Sequence, residues 1–99
     1  MALAITITDN DCSKHLTIQE VAKKYMAKQG LEGDPKRVRT GTCYNDRFVE
    51  VEFDKKGWYG DTRRECHTMY RDELAELIGC DCAVVGQSGT EWYVCGFNK

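Results

Sequence analysis

The segment from residue 37 to residue 54 constrains the fold of this 99-residue chain most, because it predicts one antiparallel hairpin. Its turn signal is Asn45-Asp46, two residues that tolerate the left-handed backbone of a tight hairpin turn. With that pair as the loop, one face is mostly apolar and the other pairs opposite charges. The predicted partners are Tyr44 with Arg47, Thr42 with Val49, Thr40 with Val51, Val38 with Phe53, Cys43 with Phe48, and Arg39 with Glu52. A slip of one residue would place the apolar face in water, so we expect this hairpin at the centre of a sheet.

A helix upstream of the hairpin has both a start and a stop signal. Thr17 followed by Glu20 forms a capping box, in which each side chain reaches the backbone N–H of the other residue. Gly30 ends the helix, and Leu31 is placed to contact Met26 as a Schellman closure expects. The residues at helical spacing that form the predicted buried stripe are Ile18, Val21, Ala22, Tyr25 and Met26.

Two further strands are predicted from alternation. One covers Leu3 to Thr8, where apolar and polar residues alternate. The other begins at Trp58 and Tyr59, after a turn at residues 54–57, and runs antiparallel to the second strand of the central hairpin. Because side chains alternate along a strand, one of the two rings is expected to face the core and the other to face away.

The start of the second helix has two alternatives. A capping box of Thr62 and Glu65 begins it, or the third strand continues and the helix begins near Met69; Gly79 ends it in both cases. The final elements are a strand over Cys82 to Val85, a loop at Gln87-Ser88-Gly89 and a strand over Trp92 to Phe97. The chain is therefore predicted to be a single α+β domain over residues 1–99, an antiparallel sheet of about five to six strands with two helices packed on one face.

Composition excludes several classes of protein. The formal charge of −2 and the isoelectric point near 5.6 exclude a globally basic nucleic-acid binder, although not a local basic patch. No stretch approaches the roughly 18 apolar residues of a membrane span, and the start of the chain lacks the features of a signal peptide. We therefore expect a cytoplasmic protein with no membrane contact. Its six cysteines are then expected to be reduced thiols.

Cysteine and histidine residues give the candidates for a metal or catalytic site. Cys80 and Cys82 form a C-x-C pair, but structural zinc requires two paired knuckles. The predicted last hairpin also points Cys95 to the face opposite both residues. Cys66-His67 resembles a nucleophile beside a base, yet adjacent residues rarely aim their side chains at each other. We therefore predict no catalytic residue, no metal ligand and no cofactor, and a protein that is not an enzyme.

Basic residues near aromatic ones give the candidate binding surface. A first group comprises Lys23, Lys24, Lys28, Lys36, Arg37 and Arg39. A second group, beside Tyr59, comprises Lys55, Lys56, Trp58, Arg63 and Arg64. Basic groups interleaved with aromatic rings suit contact with phosphate or with an acidic protein surface, and Trp, Tyr and Arg often anchor protein interfaces. The second helix is acidic, so the charge is polarised, and simple solvation is the alternative explanation for both groups.

A small single domain with basic residues such as Lys23, Lys24, Arg37 and Arg39 and no active-site motif resembles the small phage-encoded inhibitors of host defence, anti-CRISPR proteins among them. The resemblance is one of overall type, because these inhibitors share no sequence motif and no residue can be carried over by position. It implies a non-enzymatic inhibitor that binds a host protein or ribonucleoprotein, such as a CRISPR surveillance complex, in the host cytosol. A small module that binds RNA or DNA is the alternative, and a zinc-binding structural domain is a weaker one.

Overall fold

The computed structural model describes residues 12–31 and 33–98, in which eight elements follow one another. They are β1 (Lys14–Thr17), α1 (Ile18–Lys28), β2 (Arg37–Cys43), β3 (Asp46–Lys56), β4 (Thr62–Met69), α2 (Arg71–Ile78), β5 (Cys82–Ser88) and β6 (Glu91–Phe97). The fold is α+β, as predicted, but the described strands form two antiparallel sheets of three and not one larger sheet. The terminal sheet has the order β1-β6-β5, and the central sheet has the order β2-β3-β4. The predicted strand over Leu3 to Thr8 lies outside the described residues.

The hydrophobic core lies between the two helices and one face of each sheet. β3 contributes Val49, Val51 and Phe53, and all three are buried, as the alternation of this strand predicted. The terminal sheet contributes Ala83 and Val94. The helices contribute Ile18, Val21, Ala22, Tyr25 and Met26 from α1, and Leu74, Ala75, Leu77 and Ile78 from α2. Because the core takes one face of the central sheet, the other face points away from the helices.

The predicted helix α1 is confirmed together with both of its caps. The Thr17 hydroxyl accepts a hydrogen bond from the Glu20 amide at 3.2 Å, and the Glu20 carboxylate accepts one from the Thr17 amide at 2.9 Å. At the other end, Gly30 has a φ of 72° and the Leu31 amide donates to the Met26 carbonyl at 2.9 Å. This is the Schellman closure expected from the position of Gly30.

The open question about the second helix is settled in favour of a longer strand. β4 continues to Met69, Tyr70 is the N-cap, and α2 begins at Arg71. The predicted stop at Gly79 is confirmed by its left-handed backbone, with a φ of 77°. Within residues 12–31 and 33–98, neither helix is long and apolar enough to cross a membrane.

The turn of the central hairpin lies one residue earlier than predicted. Its loop is Tyr44-Asn45, and Cys43 pairs with Asp46. Both loop residues have a positive φ, 51° for Tyr44 and 69° for Asn45, as primed hairpin turns require. The register therefore differs from the prediction by two residues: Arg39 pairs with Glu50, Thr40 with Val49 and Val38 with Val51. An even shift preserves the alternation, so the predicted faces are correct although the predicted partners are wrong.

Tyr44 occupies a backbone conformation that a bulky side chain disfavours, and its side chain is 96% exposed. We expect Tyr44→Asn to raise the free energy of unfolding by about 0.5–1 kcal/mol, since asparagine adopts the left-handed region more readily and little packing is lost. Urea denaturation measures the change. Tyr59→Asn is the matched control, because Tyr59 is equally exposed but does not have a positive φ. A loss of stability in Tyr44→Asn would contradict this account of the turn.

The β5–β6 hairpin also differs from its predicted form. Its loop is Gly89-Thr90 and not Gln87-Ser88-Gly89, because Gly89 adopts a φ of 63° at the first turn position and Ser88 pairs with Glu91. Both strands therefore extend closer to the loop than predicted. The pairing register of β5 and β6 differs from the predicted one by three residues.

An odd displacement exchanges the faces of a strand. Val84 pairs with Cys95 and Gln87 with Trp92, where the sequence predicted Val84 opposite Trp92. Cys95 therefore lies on the same face as Cys82, and the predicted opposite placement of these two residues is wrong. Val94, on the opposite face of β6, belongs to the hydrophobic core cluster, whereas Cys95 is buried outside that cluster.

The sulfur chemistry differs from the expectation of six reduced thiols. Cys12 and Cys95 form a disulfide that joins the start of the described chain to β6. Free thiols are found at Cys43, Cys66, Cys80 and Cys82. Among the residues described, no group of three or more His, Cys, Asp or Glu side chains is arranged to hold a metal ion.

Candidate functional site

Trp58 and Tyr59 are the most exposed large rings in the described part of the chain. Their side chains are 99% and 98% exposed, and both lie in the turn that joins β3 to β4. The expectation that one of them would face the core is wrong, because the two residues belong to the turn and not to a strand. A tryptophan and a tyrosine exposed side by side are typical anchors of an intermolecular contact.

Backbone contacts hold this turn without help from either ring. The Gly57 amide donates to the Asp61 carbonyl at 2.7 Å, and the Gly60 amide donates to the Gly57 carbonyl at 3.2 Å. Gly60 has a φ of 82°, which a residue with a side chain would adopt only with strain. The rings of Trp58 and Tyr59 are thus free to contact another molecule while the turn keeps its form.

The hairpin extends beyond the core before it reaches the turn. Phe53 is the last buried residue of β3, and it pairs with Glu65 of β4. Beyond that pair, Lys55 pairs with Arg63 and Lys56 with Thr62, and the side chains of these four residues are exposed. Residues 54–64 are termed the β3–β4 arm below.

Two of the four predicted cations of the arm already have carboxylate partners. Arg64 donates from Nε to Asp54 Oδ1 at 2.7 Å and from Nη1 to Glu52 Oε2 at 2.6 Å. The hydrogen bond from Arg64 lowers the pKa of Asp54, and the same contact raises the pKa of Arg64, so both stay charged over a wide pH range. Arg63 Nε lies 3.7 Å from the Asp61 carboxylate.

Lys55 and Lys56 remain available beside the rings. Neither forms an ion pair with any other residue that the structure describes. Together with Trp58 and Tyr59 they line an open groove of about 360 Å³ on the arm. The other residues that line it are Gly57, Asp61, Arg63 and Glu65. The arm therefore combines two exposed aromatic rings with two unpaired ammonium groups.

The first predicted basic group is divided between two layers of the molecule. Lys23 and Lys24 are exposed on α1, and Lys28 of the same helix lies 3.8 Å from Glu76. Arg37 and Arg39 lie on the face of the central sheet that points away from the helices. The structure therefore does not bring these five residues together on one surface.

The outer face of the central sheet is largely neutralised by ion pairs across its strands. Arg39 Nε donates to Glu50 Oε1 at 2.6 Å, and the Thr68 hydroxyl donates to the other oxygen of that carboxylate at 3.3 Å. The hydrogen bond from Arg39 lowers the pKa of Glu50. Lys36, the remaining member of the first group, lies 3.5 Å from Asp54 at the base of the arm.

Cys66 and His67 point to opposite faces of β4, as strand alternation predicted. Cys66 is exposed on the outer face. His67 stacks on Tyr25 with 4.6 Å between ring centroids, and its Nε2 forms a hydrogen bond with the Glu73 carboxylate. The imidazole therefore helps to attach β4 to both helices.

The sequence analysis includes most of the arm in the candidate site but not Tyr59, because it assigns Trp58 and Tyr59 to a strand in which one of the two rings faces the core. The signal that could have corrected this is the pair of glycines around them, Gly57 and Gly60, which favours a turn over a strand. Comparison of the chain with protein-family models, with curated proteins and with solved structures found no match.

Proposed function

We propose that this chain is a non-enzymatic interaction protein that binds a host protein or ribonucleoprotein through the β3–β4 arm. The observation that carries this proposal is the full exposure of Trp58 and Tyr59 on a turn that does not use them. Burial of a large side chain contributes about 1.5–3 kcal/mol, and this fold leaves that contribution unused for both rings. A partner that covers the rings would gain it on binding.

The arm also has the backbone order and charge of a binding element. Two backbone hydrogen bonds close its turn, which limits the conformational freedom that is lost when a partner binds. Lys55 and Lys56 favour an acidic or phosphate-bearing surface and would accelerate the encounter with it. Exposed apolar area and positive charge both favour binding to another molecule. They fit an inhibitor that covers a surface of a cytosolic target such as a CRISPR surveillance complex.

The double variant Trp58→Ala/Tyr59→Ala tests the proposal. The tagged protein is used to capture a partner from host cytosol, the partner and any nucleic acid in it are identified, and its affinity is measured for each variant. We expect binding to weaken at least about thirtyfold, roughly 2 kcal/mol, as for anchor residues at other interfaces. The melting temperature should stay within a few degrees, because neither ring packs against the fold.

Tyr44→Ala is the matched control, since this tyrosine is also exposed on a hairpin turn but at the opposite end of β3. A second comparison sets Lys55→Gln/Lys56→Gln against Lys23→Gln/Lys24→Gln, and only the first pair should weaken binding. If the double aromatic variant binds the partner as tightly as the unmodified protein, the arm is not the binding element.

A further inference from the structure

We propose that the β3–β4 arm binds a short stretch of single-stranded nucleic acid, with bases stacked on Trp58 and Tyr59 and phosphates held by Lys55 and Lys56. This inference rests on the proposed function, in which the arm contacts the target, and it names the chemistry of the contact. It applies to the RNA of a ribonucleoprotein and equally to a free single strand.

Both rings have the accessibility that base stacking requires. At 99% and 98% exposure, both faces of the Trp58 and Tyr59 rings are open. Trp92 and Tyr25 are already covered, because Arg47 lies 4.3 Å from the Trp92 centroid and Tyr25 stacks on His67. Stacking on an aromatic side chain strengthens binding by about 5- to 150-fold per base and tolerates any base.

The unpaired cations lie close to the rings in sequence and on the same groove. Lys55 and Lys56 precede Trp58 by three and two residues, and all line the open groove of about 360 Å³. Arg63 and Arg64, together with Lys36 beside Asp54, offset the charges of Asp61, Asp54 and Glu52, the carboxylates that would otherwise repel a phosphate. The two lysines are therefore the phosphate contacts that the arm offers.

Acidic residues on the helix side limit how far a nucleic acid can extend from the tip. Glu65 lines the inner end of the groove, and α2 beyond it carries Asp72, Glu73 and Glu76. The phosphates of a long duplex laid along this side would approach these carboxylates, whereas one to three nucleotides at the tip would not. The site thus favours a short, flexible single strand, which an RNA-containing target can present.

Quenching of tryptophan fluorescence by octauridylate measures this contact, since Trp58 is the fully exposed one of the two tryptophans. We expect a Kd of about 0.1–1 mM at about 50 mM salt and a slope of log K against log salt near −1.4, about −0.7 for each of two phosphates. Lys55→Gln/Lys56→Gln should bring that slope close to zero. Trp58→Ala/Tyr59→Ala should reduce binding at least about tenfold by nuclear magnetic resonance titration. Lys23→Gln/Lys24→Gln is the control and should leave both the affinity and the slope unchanged.

Lack of octauridylate binding, or binding that the arm variants do not weaken, overturns the inference. If the oligonucleotide fails to bind while the double aromatic variant still loses its captured partner, the inference is wrong and the proposed function stands. If the oligonucleotide binds at the arm while partner capture does not need the rings, the proposed function is wrong and the nucleic-acid contact stands. A blue shift of Trp58 emission with phosphatidylserine vesicles, in the absence of oligonucleotide binding, would replace the inference with a lipid contact.

Discussion

Leu74→Ala is expected to lower the free energy of unfolding by about 3–4 kcal/mol, because Leu74 is fully buried between α2 and the rest of the core. The change removes the transfer free energy of the deleted atoms and leaves a cavity that packed neighbours cannot fill. A domain of this size has a total stability of about 5–15 kcal/mol, so the loss is a large fraction of it. Urea denaturation followed by circular dichroism gives the difference.

Glu76→Ala is the control for that substitution, since it lies on the same helix. Its side chain is 79% exposed, and its ion pair with Lys28 at 3.8 Å is of the kind that contributes little. We expect its effect to stay within about 0.5 kcal/mol. If Leu74→Ala costs no more than Glu76→Ala, then α2 does not pack as described.

Removal of the Cys12–Cys95 disulfide is expected to lower the free energy of unfolding by about 3–4 kcal/mol, which is the second large effect. The two cysteines are 83 residues apart, so the bond restricts nearly the whole unfolded chain, and the entropy removed from that state grows with loop length. Cys12→Ser should therefore lower the urea midpoint of the oxidised protein. Addition of a thiol reductant to the unmodified protein should lower it by a similar amount.

Cys82→Ser is the matched control, because Cys82 is an exposed free thiol on the same sheet and its loss should leave the midpoint unchanged. A thiol count gives an independent reading: four reactive thiols in the unfolded, oxidised protein and six after reduction. A count of six before reduction would show that the bridge does not form. In a reducing cytosol the bridge would be open, and the core alone would then maintain the fold.

The pattern of apolar residues predicted which face of the central hairpin is buried, although not which residues pair. The face of Val49, Val51 and Phe53 follows from alternation alone, and it survived a register error because the shift was even. The register of the hairpin depends on which two residues form its loop. The conformational preferences of tyrosine disfavour the left-handed backbone of Tyr44. The pairing of both complete strands stabilises that backbone nevertheless.

In the last hairpin the same kind of error had a larger consequence. There the displacement was odd, so Cys95 lies on the same face as Val84 and not on the opposite face as predicted. The disulfide could not have been predicted from the sequence, because a single bridge among six cysteines can join any of fifteen pairs and spacing alone does not choose among them. The structure identifies the pair, because it places Cys12 beside Cys95 of β6.

The candidate site was partly predictable for a similar reason. The proximity of Lys55, Lys56 and Trp58 in sequence guarantees their proximity in space. Which cations remain unpaired is decided by register, since Arg64 reaches Asp54 and Glu52 only because β4 places it across from them. Sequence alone therefore located the arm and could not separate its free cations from its neutralised ones.

The position of Trp58 and Tyr59 outside the packed interior separates the proposed binding contact from folding. Substitutions at these two sites leave the core, the caps and the backbone contacts of the turn in place. If the arm binds a partner as proposed, substitution of the two rings would change which partner is bound and would have little effect on stability. A partner whose surface changes would then favour variation at these two positions, while the scaffold beneath them stays the same.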